Sequence, residues 1–208
     1  MTPSLFLTAL FSLLWICGPA AGAERQAVPA RAAPLGGDFE LPDAHGKPFR
    51  LADQRGKVVL IYFGYTGCPD ACPADLLLYR DLLARLGERR EKLRTVFISV
   101  DPARDTPRQL IEYARSFSPE IVALTGNERQ LRRVARAYGA HFRYVGRERD
   151  ASNYTVDHSV SIYMVDPRGR LVGVIPFGTP PAEVQRRVEA VIASQPGPSA
   201  RKRTSNPD

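Results

Sequence analysis

The chain has 208 residues, of which 44% are hydrophobic and 25% are charged, and its formal net charge is +7. This length and composition are those of a globular protein with one sizeable core. The basic residues are scattered along the chain and are not interleaved with an aromatic platform, so the composition argues against a nucleic-acid partner. A solvated basic surface is expected instead, with weak attraction to an acidic partner or an anionic membrane surface as the alternative.

Residues 1–23 are predicted to be a signal peptide or an N-terminal membrane anchor. Residues 5–17 form an apolar run, and residues 21–23 have the A-x-A pattern of a cleavage site. An uncleaved anchor is the alternative, because the whole apolar stretch is long enough to span a bilayer. Lipoprotein processing at Cys17 is less well supported, since Ile16 stands where a small residue is expected. Either signal or anchor predicts a periplasmic location or one on the outer face of the cytoplasmic membrane.

Two segments without hydrophobic periodicity enclose the predicted folded domain. Residues 24–35 are rich in Ala and Pro and are predicted to be a linker, and residues 195–208 are predicted to be a disordered tail. The domain between them, residues 36–194, begins with a predicted β-hairpin around residues 39–51.

The first half of the domain is predicted to alternate strands and helices. Residues 58–63 form a continuous apolar run between two glycines, which is typical of a central strand covered on both faces. A leucine-rich helix over residues 76–86 and a strand over residues 95–100 follow. A capping box at Thr106, with Pro107 at the first helical position, begins the next helix.

The second half completes the fold. Residues 121–124 are predicted to form a short strand, and Asn127 to cap a third helix with one apolar face. Residues 159–165 and 171–175 flank a turn and are predicted to pair as an antiparallel hairpin, with a last helix after Thr179. A parallel βαβ unit joined to a ββα unit is the thioredoxin arrangement. The predicted class is therefore α/β, a thioredoxin-like mixed sheet flanked by helices with an added N-terminal hairpin.

Two cysteines, Cys68 and Cys72, lie between the central strand and the first helix, where a functional loop is expected. Pro73 is well suited to the first helical turn, so we expect the helix to begin there and both thiols to lie on the preceding loop. The positive end of the helix dipole would stabilise thiolates, which bind metals and attack disulfides. A purely structural disulfide is the alternative, but so small a ring removes little entropy from the unfolded chain.

The histidine of interest is His158, 86 positions after Cys72. Strand alternation predicts that it shares one face with Val156, Val160, Ile162 and Met164, and that Asp157 points away from it. An imidazole on an apolar face is usually a core residue. In a thioredoxin arrangement, however, the hairpin strand runs beside the strand that delivers the cysteines. The two other histidines, His45 and His141, are expected to be surface residues without a role.

Two thiolates and one imidazole form a soft ligand set. A structural zinc site would normally have four ligands, and the exported chain offers no third cysteine after loss of Cys17. Copper suits the set better, because Cu(I) accepts sulfur and nitrogen ligation and Cu(II) precedes zinc in the general affinity order. The residues alone favour a Cys2His site and leave the choice of metal open.

The cysteine motif and the later Asp157-His158-Ser159 segment together closely resemble the Sco/SenC family of copper chaperones for cytochrome c oxidase. The resemblance covers nearly all of residues 36–193, with matching stretches at 37–51, 56–73, 98–102, 104–107, 124–126 and 156–159. It implies that Cys68, Cys72 and His158 are copper ligands and that the cysteines form a reversible disulfide. It also implies a frequent membrane tether and a role in metallating or reducing the binuclear copper site of the oxidase, with other copper chaperones or thiol reductases as further partners.

An exported thiol oxidoreductase or peroxidase on the same fold is the alternative. Three residues separate the two cysteines where thioredoxins have two, and Thr66 lies two positions before Cys68 where a peroxiredoxin has threonine three before. A dithiol enzyme also has no need for His158. A metallochaperone is therefore expected rather than an enzyme, although thiol–disulfide reductase activity would be compatible with the same pair.

Overall fold

A computed structural model describes residues 34–194. The predicted signal peptide or anchor, all but the last two residues of the predicted linker, and the predicted tail lie outside the described residues. The centre of the fold is a five-stranded sheet. Its strands are β3 (Val58–Gly64), β4 (Leu93–Ser99), β5 (Ile121–Leu124), β8 (Ile162–Val165) and β9 (Leu171–Ile175). They lie in the order β5-β4-β3-β8-β9.

The sheet is mixed, as predicted. Strands β3, β4 and β5 are parallel, whereas β8 pairs antiparallel with β3 and β9 antiparallel with β8. Every residue of β3 is buried, because alternate side chains enter two cores on opposite faces of the sheet. The predicted position of the hairpin strand beside the strand that leads to the cysteines is confirmed.

Four helices cover the sheet: α1 (Ala71–Leu86), α2 (Pro107–Phe117), α3 (Glu128–Ala137) and α4 (Pro181–Ala193). α1, α2 and α4 pack on one face, and α3 packs on the other. The predicted capping box at Thr106 and the predicted N-cap at Asn127 are confirmed, and Asn127 also forms a capping box, with Gln130. Each N-cap side chain contributes roughly 0.5–2 kcal/mol. Within residues 34–194, no helix is long and apolar enough to cross a membrane.

Two small sheets flank the central one. The predicted N-terminal hairpin is confirmed as β1 (Glu40–Pro42) and β2 (Pro48–Arg50), and a second pair consists of β6 (Phe142–Val145) and β7 (Thr155–His158). The sequence analysis missed β6, although its alternating burial gives the period of a half-exposed strand.

The prediction that His158 belongs to the same strand as Ile162 is wrong. Residues 159–161 are irregular and separate β7 from β8, so strand alternation does not continue across them. As a result, Val156 packs into the core on one face of the sheet, and Ile162 and Met164 pack into the core on the other.

Candidate metal centre

Three side chains that could hold a metal ion meet at the end of β3. One ligand atom each from Cys68, Cys72 and His158 lie within 4.8 Å of one another, and this is the one such group among the described residues. The structure thus brings together the three residues that the sequence analysis selected. Cys68 is partly exposed, whereas Cys72 is fully buried and His158 is 9% exposed.

The segment between β3 and α1, residues 65–70, carries Cys68 and is called the cysteine loop below. The helix begins at Ala71, so the prediction that both thiols precede the helix is wrong for Cys72, which lies in its first turn. Pro73 is tolerated at the third helical position, because the first N–H groups of a helix have no partner within it. The N–H of Cys72 instead donates to Sγ of Cys68 at 3.4 Å, which places the Cys68 sulfur at the positive end of the helix.

Gly64, the last residue of β3, allows Cys72 to reach this position. A Cβ atom at residue 64 would lie 2.6 Å from Sγ of Cys72 and 2.8 Å from the ring of Phe97. Both contacts are far shorter than carbon atoms tolerate, and both neighbours are fully buried. The close approach of backbone to thiol therefore requires glycine.

The imidazole of His158 faces the cysteines from β7. Its Nε2 lies 3.6 Å from Sγ of Cys72, and its Nδ1 lies 3.1 Å from the carbonyl oxygen of Ser159. A carbonyl can only accept, so Nδ1 carries a proton, and in the neutral imidazole the Nε2 lone pair faces the thiols. The rings of Tyr62 and Tyr65 contact the imidazole edge-on, at 6.1 and 5.7 Å between centroids, and restrict its rotation.

The two thiols differ in acidity. A hydrogen bond from Cys72 lowers the pKa of Cys68 to about 3; burial opposes this shift, and His158 and backbone N–H groups add to it. The pKa of Cys72 is raised, because Cys72 keeps the proton that it shares with Cys68 and because it is buried. Burial lowers the pKa of His158, but hydrogen bonds to Cys68 and Ser159 outweigh it and raise the pKa overall. The site therefore combines a partly exposed Cys68 that favours the thiolate, a buried Cys72 that favours the thiol, and an oriented imidazole.

The remaining histidines and Asp157 stay outside the site, as predicted. His45 is exposed on the N-terminal hairpin, and His141 is exposed with its Nδ1 3.0 Å from Oγ of Ser159. Asp157 points away from His158 and pairs with Arg143 at 3.3 Å on the surface. None of the three residues contributes a ligand atom to the group of Cys68, Cys72 and His158.

The sequence analysis missed two buried carboxylates close to the site. Asp75 is 4% exposed on α1, and its Oδ2 has no hydrogen-bond partner among the described residues. Asp105 is 2% exposed and accepts hydrogen bonds from Thr66 on the cysteine loop. A signal for Asp75 was available, since an acid three residues after Cys72 falls next to Leu76 and Tyr79 in an apolar stretch of helix.

Taken together, the mixed sheet, the dithiol at the start of the first helix and the facing histidine define a thioredoxin-like protein with a metal-binding site. Residues 27–193 match the family model described as SCO1/SenC. The chain belongs to the SCO1/SenC family.

The relatives agree with this assignment. The SCO2-like protein of Rickettsia prowazekii is 41% identical over 136 residues, which are 65% of this chain and 66% of that protein, just under two thirds of its length. The solved structure of Bradyrhizobium japonicum ScoI with copper bound is 35% identical and covers 76% of this chain and 99% of that one, with a TM-score of 0.68. Yeast Sco1 with copper bound is 31% identical and covers 85% of this chain and 97% of that one, with a TM-score of 0.72.

Proposed function

We propose that this chain is an exported copper chaperone that binds one copper ion through Cys68, Cys72 and His158. We further propose that it helps to metallate or reduce the binuclear copper site of cytochrome c oxidase. The observation that carries the proposal is the convergence of three ligand atoms within 4.8 Å. The N-terminal apolar segment supports action in the periplasm or on the outer face of the cytoplasmic membrane.

The donor set fits copper. Two sulfurs and one imidazole nitrogen are soft donors that suit Cu(I), and a structural zinc site would need a fourth ligand that the cluster lacks. The Nδ1–H to Ser159 hydrogen bond fixes the tautomer in which Nε2 can bind a metal. The solved Bradyrhizobium and yeast relatives were obtained with copper bound, which supports the same metal here.

The arrangement also suits transfer of copper rather than permanent storage. Cys68 is the partly exposed ligand, whereas Cys72 and His158 are buried in the core. An incoming thiolate or imidazole of the oxidase copper-site subunit can therefore reach the ion on the Cys68 side. Transfer would return the proton to Cys72, whose raised pKa favours the protonated form in the metal-free protein.

An anaerobic copper titration of the reduced protein, with a parallel zinc titration, tests the metal assignment. We expect one Cu(I) per chain and weaker zinc binding, and X-ray absorption should find two sulfurs and one nitrogen or oxygen donor. The variant His141→Ala is the matched control, because it removes an exposed imidazole outside the cluster. A first shell of oxygen and nitrogen alone would overturn the assignment.

Thiol–disulfide exchange on the same pair is the second candidate function, and the contrast between the two thiols favours it. Cys68 is an accessible thiolate, and Cys72 lies behind it within reach of a disulfide. In exchange, the Cys68 thiolate would attack the substrate disulfide and release one substrate thiolate, and Cys72 would then displace the second with loss of its proton. The variant Cys72→Ser should trap the mixed disulfide on Cys68, detectable by mass; an adduct found only on Cys72 in the variant Cys68→Ser would contradict this order.

A further inference from the structure

We propose that residues 101–105, within the loop between β4 and α2, form a clamp that positions both halves of the metal site. Asp105 positions the cysteine loop, and Arg104 positions the strand that carries His158. Neither residue belongs to the ligand cluster. The inference rests on the proposed function, because copper affinity is one of its two readouts, but the second readout is independent of copper.

Asp105 ties the cysteine loop to the central sheet. Its carboxylate accepts hydrogen bonds from the N–H of Thr66 at 3.0 Å and from Oγ1 of Thr66 at 2.6 Å. Oγ of Ser99, at the end of β4, donates to the same carboxylate at 2.6 Å. Thr66 lies two residues before Cys68, so Asp105 fixes the start of the segment that ends in the first thiol. Because Asp105 is almost fully buried, loss of these bonds would strand polar groups away from water.

Arg104 and Asp101 hold the segment that leads into the strand of His158. Nη1 of Arg104 donates to the carbonyl oxygen of Tyr154 at 2.7 Å, and its Nε donates to Oδ2 of Asp101 at 2.7 Å. The guanidinium also stacks over the ring of Tyr154 at 3.6 Å. The hydroxyl of Tyr154 closes the network by donating to Oδ1 of the fully buried Asp101. Tyr154 immediately precedes β7, whose last residue is His158.

This attachment matters because β6 and β7 form their own two-stranded sheet and share no strand hydrogen bonds with the central sheet. A third bond supports the same link, since the hydroxyl of Tyr144 on β6 donates to the carbonyl oxygen of Val100 at 2.9 Å. One short loop therefore contacts the cysteine loop on one side and the His158 strand on the other. The distance between His158 and the thiols depends on both contacts being intact.

The two contacts predict a split between two measurements on the full-length protein. For Arg104→Met we expect Cu(I) affinity to fall roughly 10–100-fold, as for other residues that orient a ligand. The reduction potential of the Cys68–Cys72 pair should change less than in Asp105→Asn, because the contact of Arg104 with the cysteine loop is a weak one, 5.8 Å from its guanidinium carbon to the centroid of the Tyr65 ring. For Asp105→Asn we expect the same loss of copper affinity together with a less negative reduction potential. A tenfold fall in the effective concentration of one thiol at the other corresponds to about 30 mV.

The chain offers a matched control at the far end of the sheet. Arg170 donates two hydrogen bonds to the buried Asp166 next to the turn between β8 and β9, so Arg170→Met breaks another arginine–aspartate pair, a more exposed one, away from the site. It should lower the melting temperature and leave both readouts at wild-type values. Thr66→Val is the milder test of the Asp105 contact, because it removes the hydroxyl donor alone, and Arg104→Lys, which keeps the charge, should recover part of the copper affinity.

The clamp is overturned if the Arg104 and Asp105 variants behave like Arg170→Met, losing stability with copper affinity and potential unchanged. It is also overturned if Arg104→Met shifts the potential as much as Asp105→Asn does, because the two contacts would then not be separable. If Asp105→Asn does not fold, Thr66→Val decides the same question. A wild-type protein that binds no copper would refute the proposed function, and the difference in potential between the two variants would still test the clamp.

Discussion

The two halves of the metal site are built in different ways. The cysteines come from one continuous segment, the cysteine loop and the first turn of helix α1, and both β3 and α1 contribute side chains to the core. His158 comes from a peripheral two-stranded sheet that packs against the core and that the loop of residues 101–105 also holds, through Arg104. The thiols are thus placed mainly by the segment that carries them, with one long-range contact from Asp105 to Thr66, whereas the imidazole is placed by tertiary contacts. Dithiol chemistry and metal binding should therefore be separable by mutation.

The largest effect is expected on the cysteine half. Cys72→Ser replaces a soft thiolate by a hard hydroxyl, and oxidation to a Cys68–Cys72 disulfide removes both thiolates, so each change should lower Cu(I) affinity by more than about 100-fold. A competition titration against a Cu(I) chelator without oxygen measures the loss, and reduction of the disulfide should restore binding. Equal affinity in the oxidised and reduced protein would show that the cysteines are not ligands.

The second largest effect is expected for His158→Ala, which should separate the two halves of the metal site. His158→Ala removes one ligand and leaves the thiols in place, so Cu(I) affinity should fall at least 10–100-fold, or roughly 1.4–2.7 kcal/mol. The variant should still cycle between dithiol and disulfide, as thiol labelling with and without oxidant would report. A merely structural histidine would give the opposite result, namely a lower melting temperature with unchanged copper affinity.

The same difference explains what the sequence could predict. The cysteine half was largely predictable, because the apolar run of β3, the motif and Pro73 are contiguous in the chain. The error was in the start of α1, which lies two residues earlier than predicted and so includes Cys72. Helix caps at Thr106 and Asn127 were also readable, since capping depends on neighbours three residues away.

The surroundings of His158 were harder to predict. The sequence analysis predicts one alternating strand from Val156 to Met164, but the irregular residues 159–161 interrupt it. No short-range sequence pattern indicates such a break. The roles of Arg104 and Asp105 depend on partners 50 and 39 positions away. Contacts at that sequence distance leave no periodic signal, so the residues could be recognised as part of a family motif without a physical role.

A smaller effect is expected on the stability of the protein, through the buried Asp75 on the helix that carries Cys72. Burial raises the pKa of Asp75 to about 7, against a small opposing effect of Tyr62 and His158. The folded protein binds this proton more tightly than the unfolded chain does. Protonation of Asp75 therefore stabilises the fold fully below pH about 4, and this contribution to the free energy of unfolding is lost as the pH rises through about 7. Between pH 5 and 8 the loss should be about 3 kcal/mol, since it accumulates over roughly the two pH units from 5 to 7 at about 1.4 kcal/mol per unit.

Urea unfolding of the reduced, metal-free protein at pH 5 and pH 8 measures this loss of unfolding free energy. Asp75→Asn should remove the pH-dependent part, so the variant gains stability relative to the wild type as the pH rises. Asp81→Asn is the control for loss of a carboxylate from the same helix, because Asp81 is half-exposed and pairs with Arg80. An identical pH dependence in wild type and Asp75→Asn would contradict the assignment.

The smallest effect is expected for Asp157→Ala, which tests how far the His158 half extends. Asp157 is the direct neighbour of the proposed ligand in the chain, but strand alternation turns its side chain outward, where it pairs with Arg143 at 3.3 Å. Both partners are more than half exposed, and such surface pairs contribute only about 0–1 kcal/mol. Nδ1 of His158 is already satisfied by the Ser159 carbonyl, so the carboxylate is not needed to orient the ring.

Copper affinity of the variant should match the wild type, with a melting temperature within a few degrees of it. A loss of copper affinity approaching that of His158→Ala would mean that the strand turns Asp157 toward the ligand in the metal-bound protein, and that the support of the imidazole includes its own neighbour as well as the loop of residues 101–105.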